Sequence, residues 1–306
     1  MSSKDKFRDI SGILLLDKPP GLSSNQALQK ARHLFRAKKA GHTGSLDPLA
    51  TGLLPICFGE ATKIAGYLLG ARKAYAAQCR LGVATTTDDA EGEVVRTRAV
   101  PELGDAQIEA ALAGLRGRIV QIPPAYSAIK QGGVPLYKRA RRGEEVEVPS
   151  REVEVHAFDL VERGGDLLTL HVECASGTYV RSLARDLGEK LGCGAHLTAL
   201  RREWVEPFKQ PAMHTLAELE QALSRGDELD SLLLPLESGL QAMPRFELDE
   251  IQEARLRHGQ ALSIDGAVAT ENACAFGRGG GPVALIAIDD AGAVRILRGF
   301  AAAQSN

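Results

Sequence analysis

The chain has few cysteines, and their positions are scattered. Five cysteines occur among 306 residues, an odd number, and no two of them form a CxxC pair. This distribution argues against a disulfide framework and against a zinc site. We interpret them as small buried hydrophobic residues: Cys57, Cys79, Cys174, Cys193 and Cys274.

The sequence also lacks an apolar run of the roughly 18 residues that a membrane span needs. The opening stretch, MSSKDKFRDISG, is polar and has no apolar core of the secretory type. Glycine motifs of the GxxxxGKS, GxxxxGKT and GxGxxG types, which bind phosphates and dinucleotides, are missing. We therefore expect a soluble cytoplasmic protein with no membrane contact, no metal and no cofactor.

The net charge of −2 gives no global sign of a polyanionic partner, but the basic residues are clustered. Residues 29–42 contain seven basic or histidine side chains and no acid. A second cluster comprises Lys138, Arg139, Arg141 and Arg142. One basic cluster alone is most often a solvated surface, whereas two clusters near one candidate site favour a track for phosphates.

Alternating apolar residues predict half-buried strands that start near Tyr75, Val153 and Leu168. The apolar run at residues 12–16 predicts a short buried strand. Because these strands are not each followed by a helix, an antiparallel or mixed sheet is favoured over a doubly wound parallel one.

Helical spacing follows the turn at KPPGLSSN, where Ser24 or Asn25 is the predicted N-cap. This helix would present Lys30, Arg32 and Arg36 on its outer face. Helical spacing returns at residues 108–115 and 180–191. The predicted fold is therefore α+β, with a mixed, mainly antiparallel central sheet and flanking helices.

Two further segments define the domain prediction. Residues 123–150 are rich in Pro, Gly, Lys and Arg and predict a long loop or hairpin insertion. Beyond Pro244 come short β-like runs such as VALIAID and VRILRGF. We expect a catalytic domain over residues 1–243 and a small β-rich domain over residues 244–306.

The stretch GHTGSLDPLATG, residues 41–52, contains one acid, Asp47. Glycines punctuate the stretch, and Pro48 fixes the backbone directly after the acid. The sequence thus presents one carboxylate on a constrained loop. The alternative is that Asp47 caps a turn or a helix that begins at Pro48.

Several motifs, in the same order along the chain, resemble those of the TruB family of tRNA pseudouridine synthases. GHTGSLDPLATG carries the resemblance most specifically. The others are LDKPPGLSSN at residues 16–25, Tyr75 at the start of a strand, YSAIK at 126–130, SGTYVRSL at 176–183 and GCGAHLTALRR at 192–202. The resemblance implies the pseudouridine synthase fold, and the end of the chain is similar to a PUA-type RNA-binding domain.

The reaction implied by the resemblance isomerises a uridine in RNA. The C1′–N1 glycosidic bond breaks, the base turns, and C5 bonds to the ribose carbon. The implied substrate is uridine 55 in the T-loop of tRNA, bound through the T-loop and T-stem without an obligatory protein partner. Asp47, ionised at neutral pH, would act as the nucleophile. The sequence leaves open whether it attacks C1′, attacks C6 or assists departure of the base.

The resemblance also implies roles for other residues. Arg181 would hold Asp47 through two parallel hydrogen bonds, and Tyr75 would stack on the target base, its hydroxyl aiding proton transfer from C5. A core packing role is the alternative for Tyr75.

His42 would take the place of the flipped nucleotide in the stack, and Tyr179 and Leu200 would line its pocket. For Leu200, plain core packing is an equally good interpretation.

Three residues have supporting roles by the same resemblance. Asp89 would pair with Arg181, although Thr86 departs from the commoner T-D-T pattern before it. Lys18 would support the catalytic loop through packing. Lys130, in YSAIK, is a further candidate for support.

Two other functions remain to be distinguished. A catalytically silent RNA-binding or tRNA-folding factor would have a damaged motif, but Asp47, Tyr75 and Arg181 are all present. A phosphatase with an aspartate nucleophile would need a magnesium site and a DxD arrangement, and Leu49 occupies the second position.

Overall fold

The computed structural model describes residues 7–127, 129–140, 142–144, 147–264 and 266–301, except for the side chains of Lys130, Pro135, Tyr137 and Lys138. The described strands are β1 (Gly12–Lys18), β2 (Ala40–His42), β3 (Thr51–Phe58), β4 (Lys73–Leu81), β5 (Val83–Thr85), β6 (Val94–Thr97), β7 (Gly117–Gln121), β8 (Lys130–Gln131), β9 (Val134–Pro135), β10 (Arg151–Gly164), β11 (Leu167–Cys174), β12 (Ala195–Val205), β13 (His214–Thr215), β14 (Arg245–Glu247), β15 (Leu262–Ser263), β16 (Thr270–Phe276), β17 (Pro282–Ile288) and β18 (Ala293–Gly299). The described α-helices are α1 (Ser24–Leu34), α2 (Ala65–Leu69), α3 (Asp105–Ala113), α4 (Leu136–Ala140), α5 (Val180–Lys190), α6 (Leu216–Arg225) and α7 (Glu250–Arg257). Short 3₁₀ turns cover Gly59–Lys63, Leu229–Leu232 and Leu236–Gly239.

The first part of the chain forms a nine-stranded sheet in the order β13-β1-β3-β12-β4-β11-β10-β7, with β2 also paired to β3. The β1–β13 and β3–β12 pairs are parallel, and the remaining pairs are antiparallel. The predicted mixed, mainly antiparallel sheet with flanking helices is confirmed.

Strands β1 and β3 of the large sheet are buried on both faces, and strand β1 shows why. Leu14 and Leu16 face a core that includes helices α1, α3, α5 and α6, whereas Ile13 and Leu15 face a second core. Because successive side chains on a strand point to opposite faces, burial on both sides requires the continuous apolar run that the sequence shows.

The end of the chain forms a five-stranded sheet in the order β14-β16-β17-β18-β15. The runs VALIAID and VRILRGF, predicted as strands, fall in β17 and β18. Phe276 and Leu285 from this sheet pack with Ile13 and Leu53 of the large sheet in the second core. The two sheets therefore share buried apolar contacts.

Helix α1 begins one residue earlier than predicted. Its N-cap is Ser23, whose hydroxyl accepts a hydrogen bond from the Gln26 N–H. The Gln26 side-chain oxygen in turn accepts one from the Ser23 N–H. This capping box takes precedence over Ser24 and Asn25 as caps. Ser24 is instead 4% exposed and contacts the loop that carries Asp47.

The predicted outer face of α1 is largely exposed, with Lys30 and Arg36 exposed and Arg32 half-buried. Arg32 reaches past the end of α1 and donates to the main-chain oxygens of Ala37 and Lys38, so it stabilises the segment that follows the helix. In the second cluster Arg139 pairs with Glu144 at 2.7 Å. Arg141 and the side chain of Lys138 lie outside the described residues. The predicted insertion at 123–150 contains the β8–β9 hairpin and α4.

Candidate active site

Asp47 lies on an irregular loop between β2 and β3, and the residues that follow it enter strand β3 rather than a helix. The interpretation of Asp47 as the cap of a helix at Pro48 is therefore wrong. The loop is tied to α1 because the Ser24 hydroxyl donates to Leu46 O at 3.0 Å and accepts the Leu46 N–H at 2.6 Å. Leu46, the residue before Asp47, is thus held through both its main-chain N–H and its main-chain carbonyl.

The guanidinium of Arg181, in the first turn of α5, lies against Asp47. Its Nε is 2.9 Å from Asp47 Oδ2, and 6% of the Arg181 side chain is exposed. Nη1 donates to Thr87 O and Nη2 donates to Tyr126 O, each at 2.9 Å. Two carbonyls from different loops therefore fix the orientation of the guanidinium.

The expected pair of parallel hydrogen bonds from Arg181 to Asp47 is wrong. The shortest contact with the carboxylate is made by Nε, whose N–H is not aligned with any described acceptor, and the hydrogen bonds of Nη1 and Nη2 go to main-chain carbonyls. The physical reason is that both terminal nitrogens are occupied by main-chain carbonyls and by Asp89, whose Oδ2 lies 3.3 Å from Nη1. Arg181 is thus shared between two acids.

The Asp47 carboxylate is accessible, with 41% of its side chain exposed, but it is surrounded by protein. Burial raises the pKa of Asp47, Arg181 opposes this rise, Asp89 adds to it and Lys18 opposes it. Asp89 is 2% exposed, and its Oδ1 accepts from the Thr87 hydroxyl and the Glu91 N–H. The arrangement keeps one carboxylate buried and presents the other.

Two cavities meet at Asp47. An inner cavity of about 290 Å³ and an outer cleft of about 1120 Å³ share Asp47, Arg181, Ser45, Leu46 and Ser127 in their walls. A ligand that fills both cavities would therefore pass directly over the carboxylate.

The inner cavity brings together the predicted residues Tyr75, Tyr179 and Leu200. Tyr75 is 7% exposed on β4, and burial raises the pKa of its hydroxyl, whereas nearby Arg202 opposes this rise. Tyr179 is the N-cap of α5, and the Arg151 guanidinium lies 4.8 Å from the centre of its ring. The cavity therefore offers two aromatic rings and an aliphatic wall.

The outer cleft contains His42 and Asp89. His42 ends β2, and its Nδ1 is buried without a hydrogen-bond partner among the described residues. Burial lowers the pKa of His42, and Arg202 lowers it further. The ring is consequently favoured as neutral imidazole at the wall of the cleft.

Lys18 does not line either cavity and is fully buried beneath the loop. Its Nζ donates to Pro19 O at 2.8 Å and to Leu22 O at 2.7 Å, and it lies 3.4 Å from Pro48 O. Burial lowers its pKa to about 8. The side chain of Lys130, the other proposed supporting lysine, lies outside the described residues.

Sequence reasoning did not single out two cations in the inner cavity, Lys73 and Arg202. Both are buried, at 6% and 1% exposure. A signal was present, because Lys73 lies two residues before Tyr75 and therefore on the same face of β4. Likewise, two successive arginines on a strand, Arg201 and Arg202, must point to opposite faces, so one of them points inward.

The described residues contain no group of three or more His, Cys, Asp or Glu side chains placed to hold a metal ion. None of the described helices is both long and apolar enough to cross a membrane.

Comparison with protein families gives two adjoining matches. Residues 32–180 match the N-terminal domain of the TruB family pseudouridylate synthases, and residues 181–241 match the tRNA pseudouridylate synthase B C-terminal domain. The junction between the two matches falls at Arg181, inside the site.

Curated relatives named tRNA pseudouridine synthase B are similar over almost the whole chain. The protein from Xanthomonas axonopodis pv. citri is 57% identical over 300 residues, covering 98% of this chain and 97% of its own. That from Xylella fastidiosa (strain Temecula1) is 59% identical over 292 residues, covering 95% and 96%. That from Chromohalobacter salexigens is 47% identical, covering 96% and 95%.

Solved structures show the same fold at lower identity. A chain of a Cbf5-Nop10-Gar1 complex has a TM-score of 0.75 at 24% identity, with 97% of this chain and 86% of that chain covered. A chain of an H/ACA RNP bound to a substrate RNA containing 2′-deoxyuridine has a TM-score of 0.74 at 23% identity, covering 95% and 85%.

The identity to relatives named tRNA pseudouridine synthase B over nearly the whole chain, together with the family match, shows that the chain is an enzyme of the isomerase class. Within that class, the family matches and the identity to curated relatives establish that the chain belongs to the TruB family of pseudouridylate synthases.

Proposed function

We propose that this chain isomerises uridine to pseudouridine at position 55 in the T-loop of tRNA, with Asp47 as the nucleophile. The observation that carries the proposal is the position of Asp47, accessible at the junction of two cavities and held by a buried arginine. The names of the curated relatives support the tRNA substrate.

The two cavities suit a flipped nucleotide. A base must leave its stack before an enzyme can reach its glycosidic bond. With the base in the inner cavity against Tyr75 and the RNA strand in the outer cleft, the ribose would lie over Asp47. His42, in the wall of the outer cleft, would then fill the position that the base leaves.

The reaction balances without any other reactant. The C1′–N1 bond breaks, and the electron pair leaves with the base as a pyrimidine anion. After rotation, C5 forms a bond to C1′, the C5 proton leaves and N1 gains a proton. Asp47, as a carboxylate, supplies the electron pair for a bond to the ribose or the base, and that bond breaks as the C5–C1′ product forms, returning the pair to the carboxylate. Tyr75 would stack on the base while it turns.

The RNA would contact more of the chain than the pocket. Lys30 and Lys39 are exposed and would be available to contact phosphates of the RNA. We assign residues 1–243 to the catalytic domain and residues 244–306 to a PUA-like RNA-binding domain. The boundary cannot lie at the junction of the family matches, because β12 is inserted between β3 and β4 of the large sheet. We place the activity in the cytoplasm, with no obligatory protein partner.

The experiment uses the full chain and an unmodified tRNA transcript. Pseudouridine is mapped by mass spectrometry after a label selective for this nucleotide. Pseudouridine at position 55 alone supports the proposal. Isomerisation outside the T-loop would overturn the assigned substrate, and tRNA binding without isomerisation would indicate a silent RNA-binding factor.

A further inference from the structure

Arg202 is a buried cation that donates to main-chain oxygens and also interacts with the Tyr75 side chain. It is 1% exposed, and its Nε donates to Leu53 O at 2.7 Å. Nη2 donates to Gly44 O at 3.1 Å and Nη1 to Ser45 O at 3.4 Å. Burying a guanidinium carries a large desolvation penalty, which these hydrogen bonds offset.

The three carbonyls lie on both sides of Asp47 in the chain. Gly44 and Ser45 precede it by three and two residues, and Leu53 follows it by six. One guanidinium therefore holds the two ends of the loop that carries the carboxylate. A planar fork spreads five N–H donors over three nitrogens and reaches both ends at once, whereas an ammonium offers its three donors from a single nitrogen.

The backbone of Arg202 links the same loop to Tyr75. In β12, Arg202 is paired with Gly52 of β3 on one side and with Tyr75 of β4 on the other. The approach to Gly52 is so close that a Cβ atom there would lie 2.2 Å from Arg202 O, and Gly52 has a φ of +94°. The last glycine of GHTGSLDPLATG thus allows the loop to close against Arg202.

We propose that Arg202 is a positioning residue that fixes the orientation of Asp47 relative to Tyr75. It acts through the loop ends and through the strand pairing, and its side chain forms part of the inner cavity wall. This inference rests on the proposed function, because it assigns Asp47 and Tyr75 to the same reaction.

The test compares Arg202→Lys and Arg202→Gln with the neighbouring Arg201→Lys. Arg201 makes a two-point ion pair with Asp17 at 3.0 Å and 2.7 Å, and 43% of its side chain is exposed, which makes it a matched control. Single-turnover rates are measured at saturating enzyme, with active sites counted by tRNA binding so that unfolded protein does not contribute.

Both Arg202 variants are expected to lose about 100-fold in rate, the size of effect that a displacement of about 1 Å at a reacting group produces. Their tRNA affinity should stay within about threefold of wild type. Arg201→Lys should retain the wild-type rate. The proposal is overturned if either Arg202 variant turns over bound tRNA at the wild-type rate, or if neither variant folds, since Arg202 would then serve the stability of the sheet. An inactive wild type would instead refute the proposed function.

Discussion

The Nε atom of Arg181 lies 2.9 Å from Oδ2 of Asp47, at the point where the inner cavity and the outer cleft meet. The same guanidinium also faces Asp89 at 3.3 Å and two main-chain carbonyls. One cation therefore balances two acids and is itself held in place, so its loss should affect both the charge and the geometry of the site.

Arg181→Lys is expected to lower kcat by about 100-fold with a small change in KM, because Asp47, Thr87 O and Tyr126 O are each contacted by a different nitrogen of the guanidinium, whereas lysine has one nitrogen. Steady-state kinetics on the tRNA transcript measures both constants. The control is Arg185→Lys, one turn further along α5, which contacts Asp88 and Ile122 O. Equal losses in both variants would contradict a specific role for Arg181.

The pH profile of kcat/KM should have an acidic limb that reports Asp47. The carboxyl must be ionised to act, so activity falls as the pH drops through its pKa, which burial raises above that of an ordinary aspartate. Arg181 opposes this rise and Asp89 adds to it. Arg181→Gln should therefore move the limb to higher pH, and Asp89→Asn should move it to lower pH. Shifts in the same direction would contradict the assignment.

Tyr75 provides a test that separates the ring from the hydroxyl. Tyr75→Phe keeps the stacking surface, so it should bind tRNA normally while turning over more slowly if the hydroxyl aids proton transfer. Tyr75→Leu should also weaken the free energy of tRNA binding by about 1 to 3 kcal/mol, roughly the contribution of base–aromatic stacking. Binding and single-turnover rates give both quantities. Tyr67→Phe, outside both cavities, is the control and should resemble wild type.

Lys18 should make stability depend on pH. Its pKa is about 8 in the folded chain against 10.5 ordinarily, so the unfolded chain binds more protons between these values. The contribution of Lys18 to the free energy of unfolding therefore rises as the pH increases from about 8 to about 10.5. Urea unfolding should therefore show that the free energy of unfolding of wild type increases relative to that of Lys18→Met as the pH rises through this window.

Lys38→Met is the control for this experiment, because Lys38 is 56% exposed and pairs with Asp9 on the surface. The difference in free energy of unfolding between Lys38→Met and wild type should stay constant with pH. A constant difference for Lys18→Met as well would show that the Lys18 ammonium is not held in a buried environment.

The sequence predicted the mixed sheet, the helices and the exposure of Asp47, because apolar periodicity and glycine punctuation are local signals. The resemblance implied contacts of Arg181 with both Asp47 and Asp89, and the structure has both. The sequence did not predict that Thr87 O and Tyr126 O would fix the guanidinium, since that depends on loops more than 30 residues apart in sequence meeting at α5. Arg202 was missed for a related reason. Three of its hydrogen-bond acceptors are main-chain carbonyls, which leave no mark on side-chain identity.

The measurement that tests the central claim most directly compares wild type with Asp47→Asn on an unmodified tRNA transcript. Asparagine keeps the size of the side chain but removes the negative charge needed for attack. Conversion of uridine 55 is expected in wild type and should be undetectable in Asp47→Asn, with tRNA binding retained. Continued formation of pseudouridine by folded Asp47→Asn would contradict the assignment of Asp47 as the nucleophile.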